Sequence, residues 1–288
     1  MSRPVLVLGA TGNVGGATVR ALRQRGIPVR VAVRNAQRAE PGADVEHVEL
    51  DVFRPETFGP AVQGIAGLFL LRPPPVSRVG PTLNALTDAA LAAGVEHVVF
   101  SSVAGADTNA VVPHHRVETH LREHAPSWTI LRPGFFAQNL ADAYRQDIVD
   151  DDRIHLPAGR GLVAFIDTRD IGEVAAAAFA DPSSHRGKGY TLTGPVALTF
   201  DDVAAMLTRT LGRPIAYQPA SVLGYARHLR GQGLPIAQVV VQTVLHTGLR
   251  RGDAETVDPT LEHLLGRPGR TLEEYVHENA ATWAPAGR

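Results

Sequence analysis

The chain has 288 residues, of which 44% are hydrophobic and 20% charged, and its formal net charge is −1. This length and balance suit one large α/β domain, or a domain with a smaller lobe. A nearly neutral chain has no overall field that would attract DNA, RNA or anionic lipid, so no direct nucleic-acid or membrane partner is expected. The absence of cysteine excludes disulfides, thiolate metal ligands and cysteine nucleophiles.

The first residues pass directly into a strand-like run, without the charged and apolar regions of a secretion signal. No apolar run reaches the length of about eighteen residues that a membrane-spanning helix needs. Because the chain also lacks cysteine, a reducing compartment suits it. These features together predict a cytoplasmic protein.

Short apolar runs alternate with helical patterns over the first half of the chain. The runs that predict strands are Val5–Leu8, Val29–Val33, Val45–Leu50, Gly67–Leu71, His97–Ser101 and Trp128–Leu131. Helical spacing occupies Ala17–Arg25, Pro81–Ala93 and His114–His124. Strands that alternate with helices indicate βαβ units and a parallel sheet.

The pattern changes after residue 150. The segments predicted there are short strands at Phe165–Asp167 and Tyr190–Thr193, a helix at Asp170–Phe179, and a helix at Phe200–Leu211 with Thr199 as its N-cap. The remainder reads as mostly helical. We therefore expect two domains, residues 1–150 with the sheet and residues 151–288 as a smaller lobe, and the chain is expected to cross between them.

A glycine-rich turn joins the first strand to the first helix. Its sequence, Gly9-Ala10-Thr11-Gly12-Asn13-Val14-Gly15, has glycines at every third position. Such a turn brings backbone N–H groups to a pyrophosphate, and the helix N-terminus adds a favourable dipole. We expect contacts to a dinucleotide from Gly9, Thr11, Gly12, Asn13, Val14 and Gly15.

This spacing resembles that of the short-chain dehydrogenase/reductase superfamily. Later segments narrow the resemblance: Ser101-Ser102, Val117-Glu118, Leu131-Arg132-Pro133-Gly134-Phe135-Phe136 with Asn139, and Phe165-Ile166-Asp167 with Asp170-Ile171. Together they resemble the NmrA-like group of atypical short-chain reductases, including its NAD(P)H:quinone oxidoreductase branch. The resemblance implies a Rossmann-type, doubly wound sheet and a nicotinamide cofactor, in a group that includes both reductases and non-catalytic redox sensors.

The end of the second strand bears on the choice of dinucleotide. No carboxylate stands there to bind a ribose 2′-hydroxyl, whereas Arg34 is suited to a 2′-phosphate. NADP(H) is therefore expected, with NAD(H) left open. The alternative for Arg34 is a solvated loop residue or a partner that stacks on adenine. For Asp51 the resemblance implies contact with the adenine edge, and capping of a helix is an equal alternative.

The usual catalytic pair of the superfamily, Tyr-x-x-x-Lys, is absent, because the chain's single lysine, Lys188, follows none of its tyrosines by four residues. Alignment on Val117-Glu118 instead places His114 where related reductases have a lysine or histidine. His114 is therefore the candidate catalytic residue, able to donate a proton or bind ribose hydroxyls. The alternative is that it caps the helix.

The segment after the sixth strand is expected beside the nicotinamide. Pro133 and Phe135 are candidate cofactor contacts, and Phe136 and Asn139 are candidate substrate contacts, with core packing as the alternative for Phe135. The resemblance adds backbone contacts from Pro73 and Ser101 near the middle of the cofactor. No metal is expected, since the His120–His124 pattern is better read as an exposed helical face.

Two functions follow from these features. The first is an NAD(P)H-dependent reductase of a quinone or related conjugated aromatic carbonyl, with the tailoring of an aromatic polyketide as a variant. The second is a non-catalytic NAD(P) sensor that acts through a protein partner. The sequence leaves the oligomeric state open, and a homodimer is compatible with it.

Overall fold

The computed structural model of the protein describes residues 3–34 and 45–284. Its strands are β1 (Val5–Val7), β2 (Val29–Val33), β3 (Glu46–Glu49), β4 (Gly67–Leu71), β5 (His97–Ser101), β6 (Trp128–Pro133), β7 (Arg153–Ile154), β8 (Val163–Ala164), β9 (Lys188–Leu192), β10 (Ala197–Leu198) and β11 (Ala216–Tyr217). Its α-helices are α1 (Asn13–Gln24), α2 (Phe58–Val62), α3 (Ala85–Ala92), α4 (Pro113–His124), α5 (Arg145–Asp150), α6 (Thr168–Ala180), α7 (Pro182–His185), α8 (Phe200–Leu211), α9 (Val222–Gly231), α10 (Ile236–Leu249), α11 (Thr260–Leu265) and α12 (Leu272–Glu278). Within the two described ranges, no helix combines the length and apolar character that crossing a bilayer requires.

The main sheet confirms the predicted doubly wound architecture. It has seven strands in the order β3-β2-β1-β4-β5-β6-β9, and every pairing is parallel. The central strands β1 and β4 contain only apolar residues and glycine, as suits strands covered by helices on both faces, and β5 is buried at all five positions. The strand order reverses between β1 and β4. In open α/β sheets, the crevice for ligands lies at the carboxyl ends of the strands beside such a reversal.

The described chain forms two compact units. The first runs through Pro133 and takes in Thr168–Leu192, whereas the second consists of Gly134–Asp167 and the residues from Thr193 on. The chain thus passes between the units three times, and none of these points is the expected boundary at residue 150. The reason is that α6 and β9 complete the sheet unit after a long excursion of the chain.

Helix α6 belongs to the first unit because it packs on α1. Gly172 lies so close to α1 that a Cβ there would be 2.6 Å from the carbonyl carbon of Ala17. Gly67 at the start of β4 makes similar room for the ring of Phe179, which would lie 2.7 Å from an added Cβ. The order of elements in the sequence does not reveal this packing, since it depends on small residues far apart in the chain.

The second unit is mostly helical, as predicted, with two small sheets that pair β7 with β11 and β8 with β10. Its core contains the fully buried Trp283, whose Nε1–H donates to the carbonyl of Leu140 at 2.9 Å. Helix α8 has the predicted N-cap: Thr199 Oγ1 accepts from the N–H of Asp202, whose carboxylate accepts in return from the N–H of Thr199. This reciprocal capping box satisfies two backbone donors that would otherwise lack partners.

Some predicted elements are wrong in detail. Phe165–Asp167 is not a strand, because Ile166 makes only an isolated bridge to Phe136 and the paired residues are those of β8. Helix α2 was not predicted, since it is only five residues long and begins with Phe58-Gly59-Pro60. Helix α1 starts earlier than expected, at Asn13, because the glycines of the turn belong partly to the helix.

Candidate cofactor and active site

The turn after β1 has the backbone geometry of a phosphate-binding loop. Gly9 has a φ of 65°, a left-handed conformation that favours glycine, and its carbonyl accepts from the N–H of Gly12 at 2.9 Å. Gly12 is then the N-cap of α1, and no side chain caps the helix there. The first turn also contains no acidic residue. An anion near this helix end would therefore meet a positive dipole without a competing carboxylate.

Gly15 shows how tightly the helix meets the strand. A Cβ at this position would lie 2.2 Å from the carbonyl oxygen of Gly9 and 2.7 Å from that of Leu8. Gly12 is exposed, and a Cβ there would meet only the Gly9 oxygen at 3.4 Å. Gly15 thus permits helix–strand packing, and Gly12 leaves the outer face of the turn open. This cradle fits the phosphates of a dinucleotide.

Arg34 follows directly on β2 and is exposed, and no hydrogen bond or ion pair to another described residue engages its guanidinium. Asp51, by contrast, has a local role. Its Oδ1 accepts from the N–H of Phe53 at 2.9 Å, and its own N–H donates to Thr57 Oγ1 at 3.1 Å. The structure thus shows Asp51 capping the turn that leads to α2, and its contact with adenine stays a prediction.

Three polar residues of the motifs quoted above, Ser102, Glu118 and Arg132, form one buried cluster. Glu118 in α4 has no exposed surface, and it accepts hydrogen bonds from Ser102 Oγ at 2.6 Å, from Arg132 Nη2 at 2.7 Å and from Arg122 Nη2 at 2.7 Å. This cluster joins α4 to β6 and to the residue that follows β5. The carboxyl ends of both strands are thereby held in place beside the crevice.

Ser101 and Pro133 end the two strands that this cluster holds together. Ser101 is the last residue of β5 and is buried, and the carbonyl of Pro133, which ends β6, accepts from the N–H of Ala104 at 3.0 Å. Both residues therefore lie at the sheet edge where a nucleotide binds in such folds. Their contacts with the cofactor stay predictions.

His114 lies in the first turn of α4 without capping it. The N-cap is Val112, and no side chain accepts from the first N–H groups, so the capping alternative is wrong. His114 Nε2 instead lies 3.2 Å from Nε of Arg72, and burial lowers the pKa of His114 to about 4, with a further contribution from the charge of Arg72. The neighbouring His115 is half-buried, and its Nδ1–H donates to the carbonyl of Ala106 at 2.7 Å.

Three candidate residues lie in the second unit. Phe135 is half-buried and meets the rings of Phe165 and His246 edge-on, with centroid distances of 5.6 and 6.0 Å. Core packing is thus part of its role. Phe136 and Asn139 are also half-buried, and the Asn139 N–H donates to the Phe136 carbonyl at 3.2 Å. Their substrate contacts stay predictions.

Sequence reasoning missed a buried cluster around His246 in the second unit. Its Nδ1–H donates to the carbonyl of Gln242 at 2.6 Å, so its Nε2 is left to accept from the hydroxyl of Tyr144. Tyr225 Oη approaches the same imidazole at 3.5 Å. Burial lowers the pKa of His246 and raises those of both tyrosines, so the cluster is uncharged near neutral pH. No sequence spacing links these residues, since Tyr144 and His246 are 102 positions apart.

His120 and His124 stack on each other with centroids 4.3 Å apart. His120 Nε2 is engaged with Asp88 at 2.7 Å, and His124 Nδ1 with the backbone carbonyl of His120 at 3.0 Å. Across residues 3–34 and 45–284, no group of three or more histidine, aspartate or glutamate side chains is arranged to hold a metal ion. The two histidines thus have structural partners.

Comparison with known proteins places this geometry among reductases. The NmrA-like family matches residues 1–276. The NAD(P)H azoreductase of Xenophilus azovorans is 32% identical over 98% of this chain and 100% of its own length. A (4-alkanoyl-5-oxo-2,5-dihydrofuran-3-yl)methyl phosphate reductase of Streptomyces griseus is 30% identical over 98% of this chain and 99% of its own length. The crystal structure of an NADPH-dependent quinone oxidoreductase of Escherichia coli in complex with NADPH has a TM-score of 0.84 and 27% identity, and covers 95% of this chain and 99% of that one.

These findings confirm both the expected cofactor and the reductase activity. The relatives are similar over nearly the whole chain, and the one solved with NADPH shares the fold that supports the glycine-rich turn. The protein binds NADP(H) and acts as an NAD(P)H-dependent oxidoreductase. On sequence, fold and relatives together, the chain belongs to the NmrA-like family.

Proposed function

We propose that the protein uses NADPH to reduce a quinone or a related conjugated aromatic carbonyl. The relatives support an acceptor of this kind: one is named an azoreductase and another a quinone oxidoreductase. The name of the Streptomyces relative describes a ring double bond conjugated with carbonyl groups. An acceptor with an extended π system is common to all three names.

Most of the proposed cofactor contacts lie in the first unit. In the proposal, the turn from Gly9 to Gly15 contacts the phosphates and Arg34 contacts the 2′-phosphate of the adenosine. Pro73 and Ser101 contribute backbone contacts near the middle of the cofactor, and Pro133 and Phe135 contact the nicotinamide. The bound cofactor supplies the hydride, and the protein residues bind, orient and exclude water.

The observation that carries the proposal is that the candidate catalytic residue, His114, is a poor proton donor. The chain has no Tyr-x-x-x-Lys pair, and the pKa of His114 is lowered to about 4 by burial, so its imidazole is neutral near pH 7. A simple ketone needs a proton donor as hydride arrives, because an isolated alkoxide is a strong base. A quinone accepts hydride to give an anion that its own ring stabilises. The missing acid therefore favours a quinone over a simple ketone.

On the substrate side, Phe136 would stack on a planar ring and Asn139 would orient a carbonyl. Both follow β6, and a substrate that reacts at the nicotinamide has to reach the carboxyl end of the sheet. The tailoring of an aromatic polyketide is the narrower form of the proposal. A homodimer and a cytoplasmic location stay predictions. The non-catalytic sensor is not favoured, because three relatives that match over nearly the whole chain are named as an azoreductase, a reductase and a quinone oxidoreductase.

A panel of acceptors tests the proposal. The purified protein is supplied with NADPH and, in separate anaerobic reactions, with a naphthoquinone, an azo dye and an aryl ketone without a quinone ring. We expect rapid oxidation of NADPH with the quinone and little with the ketone. Equal turnover of quinone and ketone would contradict the argument from the missing acid. Turnover of the azo dye alone would move the substrate class to azo compounds.

A further inference from the structure

Arg72 stands at the carboxyl end of β4 and makes four hydrogen bonds. Its Nε–H donates to His114 Nε2 at 3.2 Å, and its Nη1 donates to the carbonyls of Val76 at 2.7 Å, Pro74 at 3.2 Å and Pro73 at 3.3 Å. One planar guanidinium therefore holds both the loop after β4 and the first turn of α4. A lysine has only a single ammonium and lacks this fork of donors.

The bond from Arg72 determines the protonation of His114. Arg72 Nε–H is a donor only, so the nitrogen it meets, His114 Nε2, has to be without a proton. A neutral imidazole then carries its hydrogen on Nδ1. The side-chain contacts of His114 among the described residues are the bond from Arg72 to Nε2 and the stacking on Phe100, and neither engages Nδ1, so its N–H is available to a ligand.

The surroundings of His114 keep the ring neutral and fixed. Burial lowers its pKa to about 4, the positive charge of Arg72 acts in the same direction, and the buried Glu118 one turn along α4 opposes them. The ring also stacks on Phe100 of β5, with a centroid distance of 6.1 Å and an interplanar angle of 29°. His114 therefore has one orientation and one tautomer.

We propose that Arg72 is a positioning residue that makes His114 a fixed, neutral Nδ1–H donor for the cofactor ribose, and that His114 does not transfer a proton. This inference rests on the proposed cofactor site, in which Pro73 lies near the middle of the cofactor and His114 near its ribose hydroxyls. It revises the expectation that His114 is a catalytic acid. Since Arg72 also holds the carbonyl of Pro73, a single side chain orders two of the predicted cofactor contacts.

Nuclear magnetic resonance of the ¹⁵N-labelled protein without cofactor tests the tautomer directly. We expect His114 in the Nδ1–H form near pH 7, and still neutral at about pH 5. In Arg72→Met, the Nε2–H tautomer should become populated and the pKa of His114 should rise. A wild-type spectrum with the Nε2–H form or with imidazolium near pH 7 would overturn the proposal. The wild-type spectrum tests the predicted tautomer of His114 even if Arg72→Met does not fold.

Affinity for NADPH provides the second readout. In His114→Asn the amide nitrogen lies near the position of Nδ1, so NADPH affinity should stay within about threefold of the wild type, whereas His114→Phe should weaken it about tenfold. Equal losses in both variants would contradict a donor role for Nδ1. These measurements involve no acceptor, so they stand even if the quinone assay fails. Conversely, the quinone assay can be positive while His114 keeps the same tautomer in Arg72→Met. That result would refute only the positioning role of Arg72 and would leave the proposed reductase function intact.

Discussion

Glu118 and Arg132 form a bidentate ion pair that is buried in the sheet unit. Arg132 Nε lies 3.0 Å from Glu118 Oε1, and Nη2 lies 2.7 Å from Oε2. Arg132 is 8% exposed and Glu118 is not exposed at all, so neither charge is screened by water. Ser102 donates to the same carboxylate. Ser102, Glu118 and Arg132 belong to separate motifs in the sequence, but in the fold they form one cluster. This cluster fixes the positions of the carboxyl ends of β5 and β6.

Replacing Glu118 by Gln should destabilise the fold strongly. The amide keeps the shape of the side chain but leaves the guanidinium of Arg132 without its buried counter-charge, and the remaining carboxylate at 3.6 Å, Asp107, is exposed. We expect the free energy of unfolding to fall by about 3–5 kcal/mol. Urea denaturation measures the change. Arg122→Ala is the control, because it removes an exposed partner of Glu118. It should lower the free energy of unfolding by at most about 1 kcal/mol. Equal effects of the two variants would contradict this account of the cluster.

Gly15→Ala should weaken both the fold and NADPH binding. The added methyl group would overlap the carbonyl oxygens of Gly9 and Leu8, which are backbone atoms that move only if α1 shifts away from β1. We expect the free energy of unfolding to fall by at least about 2 kcal/mol, on the order of the cost of overpacking. We also expect the affinity for NADPH to fall about tenfold or more. Gly59→Ala in α2 is the control, since nothing lies within 4 Å of a Cβ there. Calorimetric titration and thermal unfolding of both variants check the prediction, which fails if Gly15→Ala binds NADPH as the wild type does.

Arg34→Ala should change the preference between cofactors and leave the fold intact. The guanidinium is exposed and has no described partner to lose, so stability should change by less than about 0.5 kcal/mol. A charge-assisted hydrogen bond to the 2′-phosphate contributes about 1.5–3 kcal/mol, so KM for NADPH should rise about tenfold or more while KM for NADH stays nearly constant. Steady-state kinetics with both cofactors measures the ratio. The same rise for both cofactors would assign Arg34 to adenine or to the pyrophosphate instead.

His97 should make the protein less stable as the pH falls. Its Nε2–H donates to Thr129 Oγ1, whose hydroxyl donates onward to the carbonyl of His185, so Nδ1 accepts from Ser127 and both nitrogens are satisfied in the neutral ring. Burial lowers its pKa from 6.5 to about 4. Between these two values the unfolded chain binds a proton that the folded chain does not, so stability decreases as pH falls through this window.

The variant His97→Gln isolates this contribution. From about pH 7.5 to about pH 5, His97 alone should account for a loss of about 2 kcal/mol in the free energy of unfolding. The variant keeps the contributions of the other histidines, so its decrease over the same range should be smaller by that amount. Denaturant titrations at several pH values supply the comparison. Parallel pH profiles for the two proteins would show that His97 titrates normally in the fold.

The sequence predicts the sheet better than it predicts the site. The strand bounds of β2, β4 and β5 match the structure because valine, leucine and phenylalanine dominate these short runs. The turn from Gly9 to Gly15 is recognisable because its constraints are local. The bond between Arg72 and His114 is not recognisable, since it depends on the loop after β4 meeting the first turn of α4 at the sheet edge. The same holds for α6, whose membership of the sheet unit depends on Gly172 fitting against α1.

The central claim is that NADPH held by the glycine-rich turn reduces a quinone-type acceptor. The most direct measurement mixes the wild-type protein with NADPH and a naphthoquinone under anaerobic conditions and follows both reactants. We predict that one hydroquinone forms for each NADPH oxidised, and that Gly15→Ala slows the reaction together with its loss of NADPH affinity. No protein-dependent oxidation of NADPH, in a sample that binds NADPH normally, would contradict the claim.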